Sequence, residues 1–113
     1  MEMLHYLMRN PLPDESVEFN DNRLSLYSAQ KGKCAITGKY MESEDIICIR
    51  KVPKCAGGTD KYGNLILVCR KVAQILRLSN EEMFDAELEK LNLDTKRLKK
   101  LKSLRNLAFV ESC

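Results

Sequence analysis

The spacing of apolar residues changes along this chain, and the changes mark its elements. Residues 46–52 (IICIRKV) are a short β-branched and apolar run bounded by Asp45 and Pro53, the pattern of a strand. Residues 64–68 (NLILV) form a second such run. Between them KCAGGTDKYG (54–63) reads as a loop, punctuated by Gly57, Gly58 and Gly63. From Cys69 the spacing becomes helical, with Val72, Ile75 and Leu76 on one face. The expectation is an antiparallel two-stranded ribbon followed directly by a helix.

The flanks read as helical. Residues 2–9 have short helical character, and Pro11 and Pro13 then interrupt the chain. Asp21 is the expected N-cap of a helix to about Lys31, with Leu24, Tyr27 and Ala29 turned inward and Gly32 ending it. Cys34–Gly38 reads as an extended piece running into a turn. Ser79-x-x-Glu82 is the pattern of a capping box, opening a helix to about Leu91 in which Met83, Ala86 and Leu88 pack. Asp94 then caps a last helix whose Leu98, Leu101, Leu104 and Leu107 lie roughly a turn apart. Lys96, Arg97, Lys99, Lys100 and Lys102 crowd its other faces, either as a solvated exterior or as a nucleic-acid contact. The predicted fold class is α+β. The chain divides into an N-terminal helix and Pro-containing extension (1–20), a strand–strand–helix core (21–78) and a C-terminal helical pair (79–113).

Composition narrows the class. A chain of 113 residues, 44% hydrophobic and 31% charged, suits one domain with an adequate core. No apolar run approaches the roughly 20 residues of a membrane span. MEMLHYLMRN is a poor match to a secretory signal, so the expected location is the cytoplasm. The five cysteines (34, 48, 55, 69 and 113) include no Cys-x-x-Cys pair and are expected as free thiols in that compartment. His5 is the sole histidine.

Charge adds a functional hint. Residues 1–48 hold 5 Lys/Arg against 8 Asp/Glu, a net −3. Residues 49–79 hold 7 Lys/Arg against Asp60 alone, a net +6. Residues 80–113 balance 7 against 7. A middle third this basic attracts phosphates.

Three blocks, RLSLYSAQKGKCAITG, KVPKCAGGTDKYGNLILV and EKLNLDTKRLKKLKSLRNLA, together resemble the HNH endonuclease domain at the C-terminus of group II intron reverse transcriptases (maturases). The resemblance covers about residues 11–108 and implies a ββα-metal core with added N- and C-terminal helices. In that family the first strand ends in a His-His-Lys-x-Pro type motif. One His position binds a divalent metal, and the next His is the general base that activates water. An Asn after the loop braces the base, and a helix supplies a second metal-binding His. Metal and imidazole are what the chemistry needs: one stabilises charge on phosphate, the other takes a proton near neutral pH.

Here the motif falls on Ile49-Arg50-Lys51-Val52-Pro53. Ile49 stands at the metal-ligand position and has no donor atom. Arg50 stands at the base and stays protonated. Ala73 falls at the second ligand position, and Asn64 is the one catalytic letter retained. Losing a general base alone costs about 10²–10⁴ in rate. The resemblance therefore implies a degenerate nuclease, predicted inactive and without a cofactor. It is expected to bind DNA or intron RNA through Arg50, Lys51, Lys54, Lys61, Arg70, Lys71 and Arg77, with no membrane partner. A salt bridge from Arg50 to an acidic neighbour such as Glu44 or Asp45 is the plain alternative for that residue. Cys34 and Cys69 fall where some HNH proteins place one member of each zinc knuckle, but the second members read Thr37 and Val72. Free thiols are expected there, with a structural zinc at Cys34 and Cys69 as the alternative. The competing functions are a protein-interaction module on the same scaffold and an endonuclease with a relocated site.

Overall fold

The computed structural model describes residues 2–108. Among them five helices flank a two-stranded antiparallel sheet, an α+β arrangement. In chain order these are α1 (Glu2–Arg9), α2 (Val17–Ala29), β1 (Ile47–Arg50), β2 (Leu65–Val68), α3 (Arg70–Leu76), α4 (Glu81–Lys90) and α5 (Thr95–Ala108). Single 3₁₀ turns occupy Ser43–Asp45, Lys54–Ala56 and Tyr62–Asn64. No helix among the described residues is long and apolar enough to cross a membrane.

The ribbon pairs Ile47 with Val68, Cys48 with Leu67, Ile49 with Ile66 and Arg50 with Leu65. Paired residues in an antiparallel ladder share a face. Cys48, Arg50, Leu65 and Leu67 therefore lie on one face, and Ile47, Ile49, Ile66 and Val68 on the other. Helix α2 packs on β2, and α3 packs back on β1. All four residues of β2 are buried as a result, which fits the unbroken apolar run LILV. The outer edge of β2 is closed without a third strand. The Gln30 amide accepts from Leu67 N–H at 3.1 Å and donates to Leu67 C=O at 3.0 Å, while Ala35 N–H donates to the same carbonyl at 3.1 Å. One side chain thus pairs both backbone groups of Leu67, which an open edge would expose.

Phe19, Ile36, Leu67, Val72, Ile75 and Leu101 form the centre of the core. The C-terminal pair is pinned by Arg105, whose guanidinium lies 3.9 Å from the Phe84 ring and donates to Glu81 at 2.8 Å and to Leu78 C=O at 3.1 Å.

The structure corrects several expected boundaries. Helix α2 starts four residues before Asp21, because the Ser16 hydroxyl accepts from Phe19 N–H at 3.0 Å and supplies the cap. It therefore runs across the expected division at residue 20, and its buried residues are Phe19, Arg23 and Leu26. Leu24 and Tyr27 pack on that core, whereas Ala29 is exposed. The first strand is shorter than expected at both ends. Residues 35–37 form a turn rather than an extended piece. Helix α4 is capped by Asn80, which accepts from Met83 N–H at 3.0 Å, so Glu82 lies one position too early to complete a capping box. Its inward residues are Phe84 and Leu88; Met83 and Ala86 are exposed. The expected cap of α5 is present, with Arg97 N–H donating to Asp94 at 2.8 Å, and Leu101 and Leu104 are buried. The side chains of His5 and Leu107, and Cys113, lie outside the described residues.

Candidate functional site

The two strands meet at a loop, residues 51–63, whose shape is fixed from its last neighbour. The Asn64 side chain accepts from Val52 N–H at 2.9 Å and donates to Val52 C=O at 3.0 Å and Thr59 C=O at 2.7 Å. Its backbone carbonyl accepts from Lys51 N–H at 2.7 Å. Asn64 thus staples the loop to itself. Gly57 and Gly58 have separate reasons. Gly57 sits at φ +88°, in the left-handed region. A Cβ on Gly58 would come within 1.7 Å of the Val52 carbonyl oxygen.

Asp60 anchors the loop to the helical layer. One carboxylate oxygen accepts from the Ser16 hydroxyl at 2.6 Å, and the other from Arg50 Nε at 2.7 Å. Its backbone carbonyl accepts from Asn22 at 2.8 Å. Arg50 also donates to both oxygens of Glu15, at 3.1 and 3.2 Å, and lies 4.7 Å from the Phe19 ring. The guanidinium is thereby held on three sides. Burial works against its charge, and the hydrogen bonds to Asp60 and Glu15 more than offset that, so its pKa rises. The Ser16 hydroxyl first, and Arg50 second, hold the Asp60 carboxyl below the usual carboxylate range. The ion pair weighed for Arg50 in the sequence exists, but its partners are Glu15 and Asp60 rather than Glu44 or Asp45. Cys48 shares this face, and burial pushes its thiol up to about 12.

The two positions that the resemblance equates with metal ligands, Ile49 and Ala73, do not fit a metal. Ile49 is in the ribbon on the face opposite Arg50, Ala73 is buried in α3, and neither has a donor atom. No group of three or more His, Cys, Asp or Glu residues suited to a metal occurs among the described residues. Cys34 and Cys69, the pair named for the alternative structural zinc, lie against each other, but not among four zinc ligands. Cys34 Sγ accepts N–H groups from Ile36 and Thr37 at 3.4 Å each and from Cys69 at 3.3 Å. The hydrogen bond between the two side chains lowers the Cys34 pKa and raises that of Cys69. The pair fastens the 35–37 turn to the start of α3. Cys34, Cys48 and Cys69 are free thiols, as expected.

The seven expected nucleic-acid contacts separate into two groups. Arg50 is locked as described. Arg70 donates to Glu44 C=O at 2.6 Å, and Lys71 pairs with Glu87 at 2.8 Å. Lys51, Lys54, Lys61 and Arg77 enter no ion pair among the described residues. Lys51 further lines an open groove of about 350 Å³ beside Lys33, Lys100 and Tyr62. Neither Lys33 nor Lys100 lies in the basic middle third of the sequence, so charge counted by thirds gives no sign of the grouping.

No family model matches the chain, and no curated protein or solved structure does either.

Proposed function

We propose that this chain is a catalytically degenerate HNH endonuclease-like domain, with a ββα core, that binds nucleic acid without cleaving it. One observation carries the reading: the ribbon runs directly into α3, while Ile49, Arg50 and Ala73 hold side chains that can neither bind a metal nor take a proton. Arg50 at the end of β1 is engaged by two carboxylates, which removes it both as a base and as a phosphate contact. Lys51, Lys54, Lys61 and Arg77 remain, and binding through them is electrostatic and weakened by salt. The test is an anisotropy titration with duplex DNA and structured RNA at two salt concentrations, with product analysis in Mg²⁺ and Mn²⁺. Binding without products is the expected result. Products in either metal would overturn the degenerate reading, and no binding at low salt would overturn nucleic-acid recognition.

A second reading, a protein-interaction module on the same scaffold, has its own support. Tyr6, Met8, Leu12 and Val17 are all exposed and fall within residues 6–17. Exposed apolar side chains gathered in one segment suit a protein contact. Failure of the titration favours this reading.

A further inference from the structure

We propose that the groove lined by Lys33, Lys51, Lys100 and Tyr62 binds a single strand of nucleic acid, with the lysines on phosphates and the tyrosine ring under a base. The inference rests on the nucleic-acid reading above and assigns it a surface. Three separate parts of the chain supply the cations: Lys33 follows α2, Lys51 follows β1, and Lys100 is on α5. No Asp or Glu lines the groove, and none of the three ammonium groups enters an ion pair among the described residues. That separates it from the Arg50 cluster, where the positive charge is already neutralised.

The groove also has aromatic surface. Tyr62 contributes to its lining and is 47% exposed, a large apolar ring left open to water. Tyr40 does not line the groove but pairs with Lys33 across an isolated bridge, is 78% exposed, and has the Lys33 ammonium 5.1 Å from its ring centre. Unpaired cations beside open aromatic faces are the arrangement that tracks a single strand, because every base presents a π-face while its phosphates need only charge. A duplex keeps its bases stacked inward and offers Tyr62 nothing to stack on. At about 350 Å³ the space suits one small unit of a chain rather than a folded partner.

The probes are fluorescein-labelled oligothymidylate and a duplex of equal length, titrated by anisotropy over a range of salt. Lys33→Gln with Lys100→Gln should weaken single-strand binding about tenfold. It should also flatten the log–log salt dependence by about 1.4, at roughly 0.7 per phosphate contact on a single strand. Tyr62→Ala should cost about tenfold, within the range for one lost stacking platform, and Tyr62→Phe should restore it. The chain has no Trp, so Tyr62→Trp introduces a single indole whose fluorescence oligothymidylate should quench. Lys90→Gln, at an exposed lysine that does not line the groove, is the comparison and should bind as wild type does. If wild type binds neither probe, both the reading and the groove fail. If wild type binds but the groove variants bind equally well, or the indole is not quenched, the groove is refuted and the broader reading survives.

Discussion

Arg50 and Asp60 hold each other at 2.7 Å across the base of the 51–63 loop, and this contact joins the end of β1 to the loop. Glu15, in the link between α1 and α2, completes the grip at 3.1 Å. Arg50→Ala removes the charged partner of Glu15, leaves Asp60 only its Ser16 bond, and uncovers Phe19. It should cost about 2–3 kcal/mol of stability, read as a lower urea midpoint. Arg50→Lys should recover only part, because one ammonium cannot match a fork that serves two partners. An unchanged midpoint in the alanine variant would show that the contact contributes nothing.

Asp60 makes stability depend on pH. Its carboxyl is held below the ordinary value, so the folded state favours the ionised form. That contribution is present above the unfolded value near 3.9 and is lost as pH falls through the lower folded value. The urea midpoint should therefore drop more steeply below about pH 4 in wild type than in Asp60→Asn. Equal slopes for the two proteins would refute the assignment.

Asn64 and the loop can be tested locally. Asn64→Ala leaves Val52 N–H, Val52 C=O and Thr59 C=O without their partner, at about 1–3 kcal/mol. Hydrogen exchange should speed up at Val52 while the amides of β2 stay protected. Asn64→Asp keeps the acceptor for Val52 N–H and loses both donors, so it should fall between alanine and wild type.

Two glycines in the same loop should behave oppositely. Gly58→Ala forces a Cβ against the Val52 carbonyl and should destabilise by more than about 1 kcal/mol. At Gly63 a Cβ would meet no atom within 4 Å, and the backbone there has no positive φ. Gly63→Ala should be neutral or stabilise by up to about 1 kcal/mol. Thermal melts of the two variants decide it.

How much the sequence discloses follows from how local each signal is. The ribbon and α3 are legible because a change of apolar period shows within a few residues. The start of α2 is local too, but two good capping residues compete there, and Ser16 rather than Asp21 makes the bond. The Phe84 and Leu88 face of α4 is obscured by Met83, an apolar residue that points to water. The partners of Arg50 are beyond reach, since Glu15 is 35 residues away and Asp60 is 10. No spacing rule joins Lys33, Lys51 and Lys100 either; only the packing of α2, β1 and α5 does. The resemblance directs attention to Asn64, but its hydrogen bonds to Val52 and Thr59 are a property of the folded loop.

The clasp of Glu15 and Asp60 on residue 50, with Ser16 behind Asp60, makes that position hard to edit one letter at a time. Each acid is satisfied by a guanidinium whose shape serves two at once, and Ser16 is also committed to starting α2. A histidine installed there alone would inherit a pocket built for a longer, permanently charged side chain. Proton transfer at residue 50 would therefore need coordinated changes in the loop and the helix, and a single replacement there should lower stability.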